Sequence, residues 1–250
     1  MYEETVIVMF FVSMLASITG SLIGGTSLIT IPTLIMLGVP AHTAIGTDRF
    51  AIFGGVLVGL YKFHKKGLIK YRVGITVGVP VLIGSALGAR LALEFNEELL
   101  KLAIIFMNLL AMVLFVVRPQ LGLERRRRTQ GLGSAVLGAI VCLVLGAYGG
   151  FYGAMVGTLT VYVFILWYGL TFLECAGTIK LSALGLNLSA AVVYAWNGAV
   201  DYRLGLVMLA GCMTGNWIGA HYSDRLGNKW IRRILILFVL MAVVKIAMDL

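Results

Sequence analysis

The chain has 250 residues, of which 60% are hydrophobic and 12% are charged, and its formal net charge is +9. Because a soluble domain carries about 25% charged residues, this composition excludes an ordinary soluble protein and predicts an all-α polytopic membrane protein. The basic residues lie in short loops between apolar runs, so they indicate topology and contact with lipid headgroups, and they do not predict nucleic-acid binding.

Ten apolar segments, five in each half, follow one another along the chain. They lie at about 5–22, 27–38, 43–63, 73–93, 99–117, 132–148, 154–168, 172–195, 204–222 and 230–248. We predict a first membrane repeat at residues 1–118 and a second at residues 132–250. Residues 119–131, which include four consecutive arginines at 125–128, form a predicted basic cytoplasmic linker.

The two halves match each other at an offset of 131 residues without a gap: residues 67–74 recur as 198–205, and Gly46-Thr47 recurs as Gly177-Thr178. The loop at 64–72 is basic, whereas its counterpart at 197–203 is nearly neutral and the basic cluster comes one loop later, at 225–233. Lysine and arginine mark cytoplasmic loops, and five segments per repeat invert the second copy. We therefore predict two inverted-topology repeats in the cytoplasmic (inner) membrane, with both termini outside.

Uncharged, glycine-rich joints at residues 19–27 and 149–158 connect the first two segments of each repeat. The segment at 27–38 is too short to cross the membrane as an upright helix, which needs about 20 residues. Broken or re-entrant half-membrane helices fit this pattern, with Gly24 and Gly25 at the first break. Ser27 and Thr158 are expected to begin and cap the next helices, whose N-termini would attract an anion. The alternative is helix packing through small residues, which also explains the glycines at 74, 78, 84 and 88 and at 211, 215 and 219.

Charged residues that lie well inside apolar runs are candidates for function, because charge is costly there. Asp48 and Arg49 follow Thr47, and Lys180 follows Thr178 at the equivalent place in the second repeat. Arg49 and Lys180 would enter from opposite faces and converge on a shared anion site. Alternatively, both cations extend to the headgroups, and Asp48 neutralises Lys180, carries a proton or lines a cation site. Among the polar residues within spans, Asn187 lies two turns beyond Lys180 on roughly the same helix face.

These motifs resemble the TauE/SafE sulfite exporters. The first repeat supplies residues 24–27, Pro32 and the run 44–49, and the second supplies residues 146–153, the run 176–181 and Asn187. The resemblance implies transport of small anions, often sulfur oxyanions or organosulfonates. Asp48 is a departure, because related sequences often have Asn or Ser there, and residues 153–157 replace a frequent Gly-Pro-Gly-Thr-Gly stretch. The extra carboxylate would fit proton coupling or a substrate that is not a plain anion.

We therefore expect a secondary transporter for a small anion, surrounded by membrane lipids; a passive channel and a membrane-embedded enzyme are the alternatives. An aspartyl intramembrane protease needs two aspartates in its spans, and only Asp48 lies in one. No catalytic residue, metal or cofactor is expected, and a homodimer is compatible with the sequence. The predicted substrate-binding residues are Arg49, Lys180, Asp48, Thr47, Thr178, Ser27, Thr158, Gly24, Gly25 and Asn187.

Overall fold

The computed structural model describes residues 2–117 and 132–222, which form nine α-helices and no strands. In chain order the helices are α1 (Tyr2–Ile23), α2 (Ser27–Met36), α3 (Ala41–Lys65), α4 (Tyr71–Glu94), α5 (Glu97–Val117), α6 (Leu132–Phe151), α7 (Val156–Tyr168), α8 (Phe172–Trp196) and α9 (Tyr202–His221). The predicted linker at 119–131, the basic cluster at 225–233 and the predicted segment at 230–248 lie outside the described residues.

Four described segments are long and apolar enough to cross a membrane: Glu4–Ser21, Ala41–Lys65, Tyr71–Glu94 and Phe172–Trp196. Large apolar side chains also cover outer helix faces. On α4, for example, Ile75, Val79 and Leu87 are each more than half exposed. A contiguous apolar face of this kind is stable in lipid and unfavourable in water. The prediction of an all-α polytopic membrane protein is therefore confirmed.

Both glycine-rich joints break their helices. The chain leaves α1 through Gly24 and Gly25, whose φ angles are +81° and +96°, and it leaves α6 through Gly153, at φ +77°. The 10 residues of α2 and the 13 residues of α7 extend about 15 and 20 Å at 1.5 Å per residue, less than a hydrocarbon core of about 30 Å. The predicted broken helices are therefore present in both halves.

The helices of the two halves pack in matching pairs. Helix α4 packs against α6, and its counterpart α9 packs against α1. Helix α3 packs against α9, and its counterpart α8 packs against α4. Helices α3 and α8 also pack against each other. A side chain at Gly88 would collide with the carbonyl oxygen of Ala147, and one at Gly219 would meet that of Ile18. The predicted tight helix crossings at these glycines are present.

Helices α3 and α8 run antiparallel. The amide of Asp201, in the loop after α8, donates to the Thr47 hydroxyl near the start of α3 at 2.9 Å, and the amide of Lys70, in the loop after α3, donates to the Thr178 hydroxyl at 3.0 Å. Both members of one bond lie 131 residues from their counterparts in the other, so the central helices obey the offset seen in the sequence. The prediction of two complete inverted repeats includes the undescribed segment at 230–248 and stays a prediction.

Candidate functional site

Arg49 is the largest fully buried polar side chain at the centre of the molecule, with 2% of its surface exposed. Its guanidinium donates from Nη1 to Asn187 Oδ1 at 3.4 Å and to Ser27 Oγ at 3.5 Å, and from Nη2 to the Tyr152 carbonyl oxygen. The buried Nε has no hydrogen-bond partner among the described residues. Arg49 therefore joins α2, α8 and the second joint, and its hydrogen-bonding capacity is only partly used.

Asp48, the neighbour of Arg49, is completely buried and ties α2 to α3. Ser27 donates its hydroxyl to one carboxylate oxygen at 2.8 Å, and Thr30 donates to the other at 2.5 Å. The prediction that Ser27 caps α2 is wrong, because the N-cap is Thr26, which makes no side-chain cap bond. The Ser27 hydroxyl is instead directed to Asp48. Ser27 is nevertheless the first residue of α2, as predicted. Thr158 neither begins nor caps α7, since that helix starts at Val156 after Met155.

The two glycine-rich joints touch each other beside Arg49. A Cβ atom built on Gly24 would lie 2.9 Å from the Cα of Gly157, so the backbones of the first and second joints are in direct contact. A Cβ atom on Gly153 would collide with Nη2 of Arg49. The absence of side chains at these positions brings the backbone against the guanidinium. Of the predicted joint residues, Gly24 thus lies at the contact, and Gly25 adjoins it.

Two tyrosines hold the second joint in place. The Tyr194 hydroxyl donates to the carbonyl oxygens of Gly150 at 3.2 Å and of Phe151 at 3.5 Å, and the Tyr148 hydroxyl donates to that of Ala154 at 2.6 Å. Because the carbonyl of Tyr152 lies next in the chain, these bonds fix the acceptor that Arg49 uses. The sequence analysis missed this role; the available signal was tyrosine hydroxyls inside apolar runs, where they need partners.

A second polar feature adjoins the same joint. The Asn108 side chain of α5 lies beside the Tyr152 hydroxyl, and both residues are fully buried. The hydroxyl of Tyr152 and the amide of Asn108 interact with each other, but neither completes a hydrogen bond of good geometry with the described residues. Buried polar groups without well-formed bonds are costly, so this pair is a weak point of the packing beside the second joint.

Lys180 lies apart from the Arg49 cluster, which consists of Arg49 and its partners Ser27, Asn187 and Tyr152. Its Nζ donates to Asn216 Oδ1 of α9 at 3.4 Å, and its stem packs beside Gly59. Asn187, which Arg49 contacts, lies seven residues further along α8, or about 10 Å at 1.5 Å per residue. The predicted shared site is therefore two separate positions. Both cations are at most 5% exposed, so the alternative of side chains extended to the headgroups is also wrong.

The remaining predicted residues have other partners. Asp48 does not neutralise Lys180, because its oxygens accept from α2. Thr47 and Thr178 accept from the loop amides at the two ends of the α3–α8 pair. Within residues 2–117 and 132–222, no group of three or more His, Cys, Asp or Glu side chains could hold a metal ion. A small anion remains the ligand that a buried, incompletely bonded guanidinium suits best.

Comparison with known proteins agrees with this geometry. Residues 9–246 match the family described as Sulfite exporter TauE/SafE. The chain belongs to the TauE/SafE family. Its identification rests on nearly the whole chain, so the resemblance seen in the short motifs is confirmed.

Curated relatives of this TauE/SafE member carry transporter names. A "Probable membrane transporter protein" of Haemophilus influenzae is 29% identical over 242 residues, which cover 97% of this chain and 94% of the relative. The "Probable membrane transporter protein YfcA" of Escherichia coli K12 is 27% identical, with 97% and 89% covered. The "Probable membrane transporter protein YdhB" of Bacillus subtilis is 25% identical, with 88% and 89% covered. No solved structure gives a significant match. The protein is a multi-pass membrane transporter.

Proposed function

We propose that this chain is a secondary transporter that moves a small sulfur oxyanion, either sulfite or an organosulfonate, across the cytoplasmic membrane. The observation that carries the proposal is Arg49, a buried guanidinium placed where two broken helices touch. One of its N–H groups is unpaired among the described residues, and two of its hydrogen bonds are long, at 3.4 and 3.5 Å. An oxyanion can replace these long bonds with shorter, charge-assisted ones.

The proposed mechanism is alternating access. The substrate oxygens bind Arg49 and the hydroxyl of Ser27, and Asn187 orients the guanidinium from α8. Because Arg49 reaches both α2 and the second joint, a bound anion links parts of the two halves. Movement of one half against the other would then expose the anion to one side at a time.

Both termini lie outside in this arrangement, so a reporter that works only in the cytoplasm should be inactive when fused to the C-terminus.

Asp48 is the residue through which we propose that anion transport is coupled to a proton. Its carboxylate lies beside Arg49 and accepts hydrogen bonds from Ser27 and Thr30. Protonation would remove a negative charge next to the anion and would weaken the link between α2 and α3. We therefore propose that a proton accompanies the anion. Asp48→Asn should leave anion counterflow measurable while removing acceleration by a pH gradient.

Transport into liposomes tests the function. Purified protein should take up radiolabelled sulfite with saturable kinetics and should show counterflow, whereas linear, non-saturating flux would favour a channel. Arg49→Gln should reduce uptake by at least about 100-fold, the equivalent of losing one charge-assisted contact of about 3 kcal/mol. The exposed Arg90 on α4 provides the matched control, and Arg90→Gln should transport at the wild-type rate. Wild-type uptake by Arg49→Gln would contradict the assignment of Arg49 to the substrate site.

The substrate class has a separate test. Sulfite, thiosulfate, taurine, sulfoacetate and sulfate, together with short carboxylates, can be screened by their effect on the unfolding temperature of the purified protein. A ligand present at 100 times its Kd stabilises the folded state by about 2.7 kcal/mol. Stabilisation by carboxylates alone would remove the sulfur oxyanions from the proposal while leaving an anion transporter.

A further inference from the structure

Lys180 occupies a buried position that the Arg49 cluster does not explain. It lies eight residues inside α8, as Arg49 lies eight residues inside α3, and it is 5% exposed. Of the three N–H donors on its ammonium group, one makes a bond within the described part of the chain, at 3.4 Å to Asn216 Oδ1. The amide nitrogen of Asn216 donates in turn to the Cys212 carbonyl oxygen at 3.1 Å, which fixes the oxygen toward Lys180.

The two buried cations differ in charge balance. Arg49 has the carboxylate of Asp48 beside it, whereas the residue before Lys180 is Ile179. No carboxylate of the described residues pairs with Lys180 or acts on its charge. A buried cation without a counter-ion is strongly unfavourable. Within residues 2–117 and 132–222 Lys180 is such a cation, and a bound anion would supply the counter-ion.

Distance separates this position from Arg49. The Lys180 stem lies against Gly59 on α3, ten residues from Arg49, or about 15 Å along the helix. Arg49 instead turns to Ser27 and the Tyr152 carbonyl oxygen. An anion of a few atoms cannot contact both cations at this spacing.

We propose that Lys180 and Asn216 form a second, separate binding position for a small oxyanion, located on the α8–α9 side and nearer to the loop after α3. The oxyanion accepts hydrogen bonds from the N–H groups of Lys180 that have no acceptor among the described residues, and Asn216 is a positioning residue. The inference rests on the proposed function, because it makes this position the site that the transported anion occupies after it leaves Arg49. The chain would then pass the anion between two cations, each reached from its own end of the antiparallel α3–α8 pair.

One experiment tests the charge imbalance without any ligand. Asn216→Asp places a carboxylate at the atom that lies 3.4 Å from Nζ, and so supplies the missing counter-ion. Asn216→Asp also loses the amide bond to the Cys212 carbonyl oxygen. The exposed Asn197 is the matched reference, because Asn197→Asp loses the equivalent bond to the Val193 carbonyl oxygen without gaining a cation. In buffer of low ionic strength, Asn216→Asp should unfold at a temperature at least about 2 °C above Asn197→Asp. An equal or lower unfolding temperature for Asn216→Asp would overturn the inference.

Counting bound anions separates this inference from the proposed function. Equilibrium dialysis with radiolabelled sulfite should give two ions per wild-type chain, one for Lys180→Met and one for Arg49→Gln. If wild type binds one ion and neither variant binds any, the two cations share one site. If wild type and Lys180→Met each bind one ion, Lys180 does not contribute to anion binding. Both results would overturn the second position and leave the transporter standing. If wild type binds no sulfite, the proposed substrate fails, and the Asn216→Asp result decides the inference alone.

Discussion

Gly24 offers a direct test of the contact between the two joints. Its φ of +81° and the 2.9 Å from its ideal Cβ to the Gly157 Cα both oppose a side chain. Gly38, at the end of α2, has nearly the same φ, +86°, but nothing lies within 4 Å of its Cβ position. Comparing Gly24→Ala with Gly38→Ala therefore separates the cost of the backbone conformation from the cost of the close approach.

The magnitudes follow from these two numbers. A left-handed conformation costs an alanine about 1–2 kcal/mol, which is the whole expected loss for Gly38→Ala. Ordinary carbon contacts lie at about 3.5–4.0 Å, so Gly24→Ala must also push the joints apart by more than half an ångström. Overpacking of this kind adds about 1–3 kcal/mol. For a protein of this size, 1 kcal/mol lowers Tm by about 2–4 °C, so Gly24→Ala should unfold about 2–12 °C below Gly38→Ala.

Tryptophan fluorescence during heating in detergent can measure both variants under one protocol. Gly24→Ala should also bind sulfite more weakly than Gly38→Ala, because the displaced joint carries the backbone that faces Arg49. Equal unfolding temperatures for the two variants would refute the claim that the joints are in contact.

Three further substitutions test other parts of the site. Tyr194→Phe removes the hydroxyl that holds the second joint and should cost about 1 kcal/mol by thermal unfolding, whereas Phe at the exposed Tyr61 should cost nothing; equal effects would dismiss the bond to the joint. Asn108→Leu replaces an amide that makes no well-formed hydrogen bond by an apolar side chain of similar size, so Tm should rise while sulfite uptake falls; a lower Tm would show that the contact with Tyr152 satisfies the amide. Thr30→Val removes one donor to Asp48 and should destabilise the protein by about 1.5–3 kcal/mol; unchanged unfolding would contradict the link between α2 and α3.

The sequence predicted the helices better than it predicted the contacts. The apolar runs at 43–63 and 172–195 correspond to α3 (Ala41–Lys65) and α8 (Phe172–Trp196) because hydrophobic length and the 131-residue offset both depend on the sequence alone. The break at Gly24 was visible for the same reason, since glycines mark positions that need unusual φ angles.

Side-chain direction was not predictable in the same way. Ser27 stands at the start of a helix, where serine usually caps, yet a buried carboxylate from α3 competes more strongly for its hydroxyl. The equivalence of Arg49 and Lys180 in sequence suggested one site, but their partners come from different helices, α2 and α9. Such choices depend on tertiary neighbours, which a single sequence does not reveal.

One end of the α3–α8 pair carries an ion pair between the two halves. The Lys70 ammonium pairs with Glu174 at 3.1 Å, and the Lys70 amide also donates to the Thr178 hydroxyl at 3.0 Å. A partly exposed ion pair contributes up to about 1 kcal/mol, which corresponds to about a fivefold change in population. High salt should therefore weaken the closure of the empty carrier at its Lys70 end.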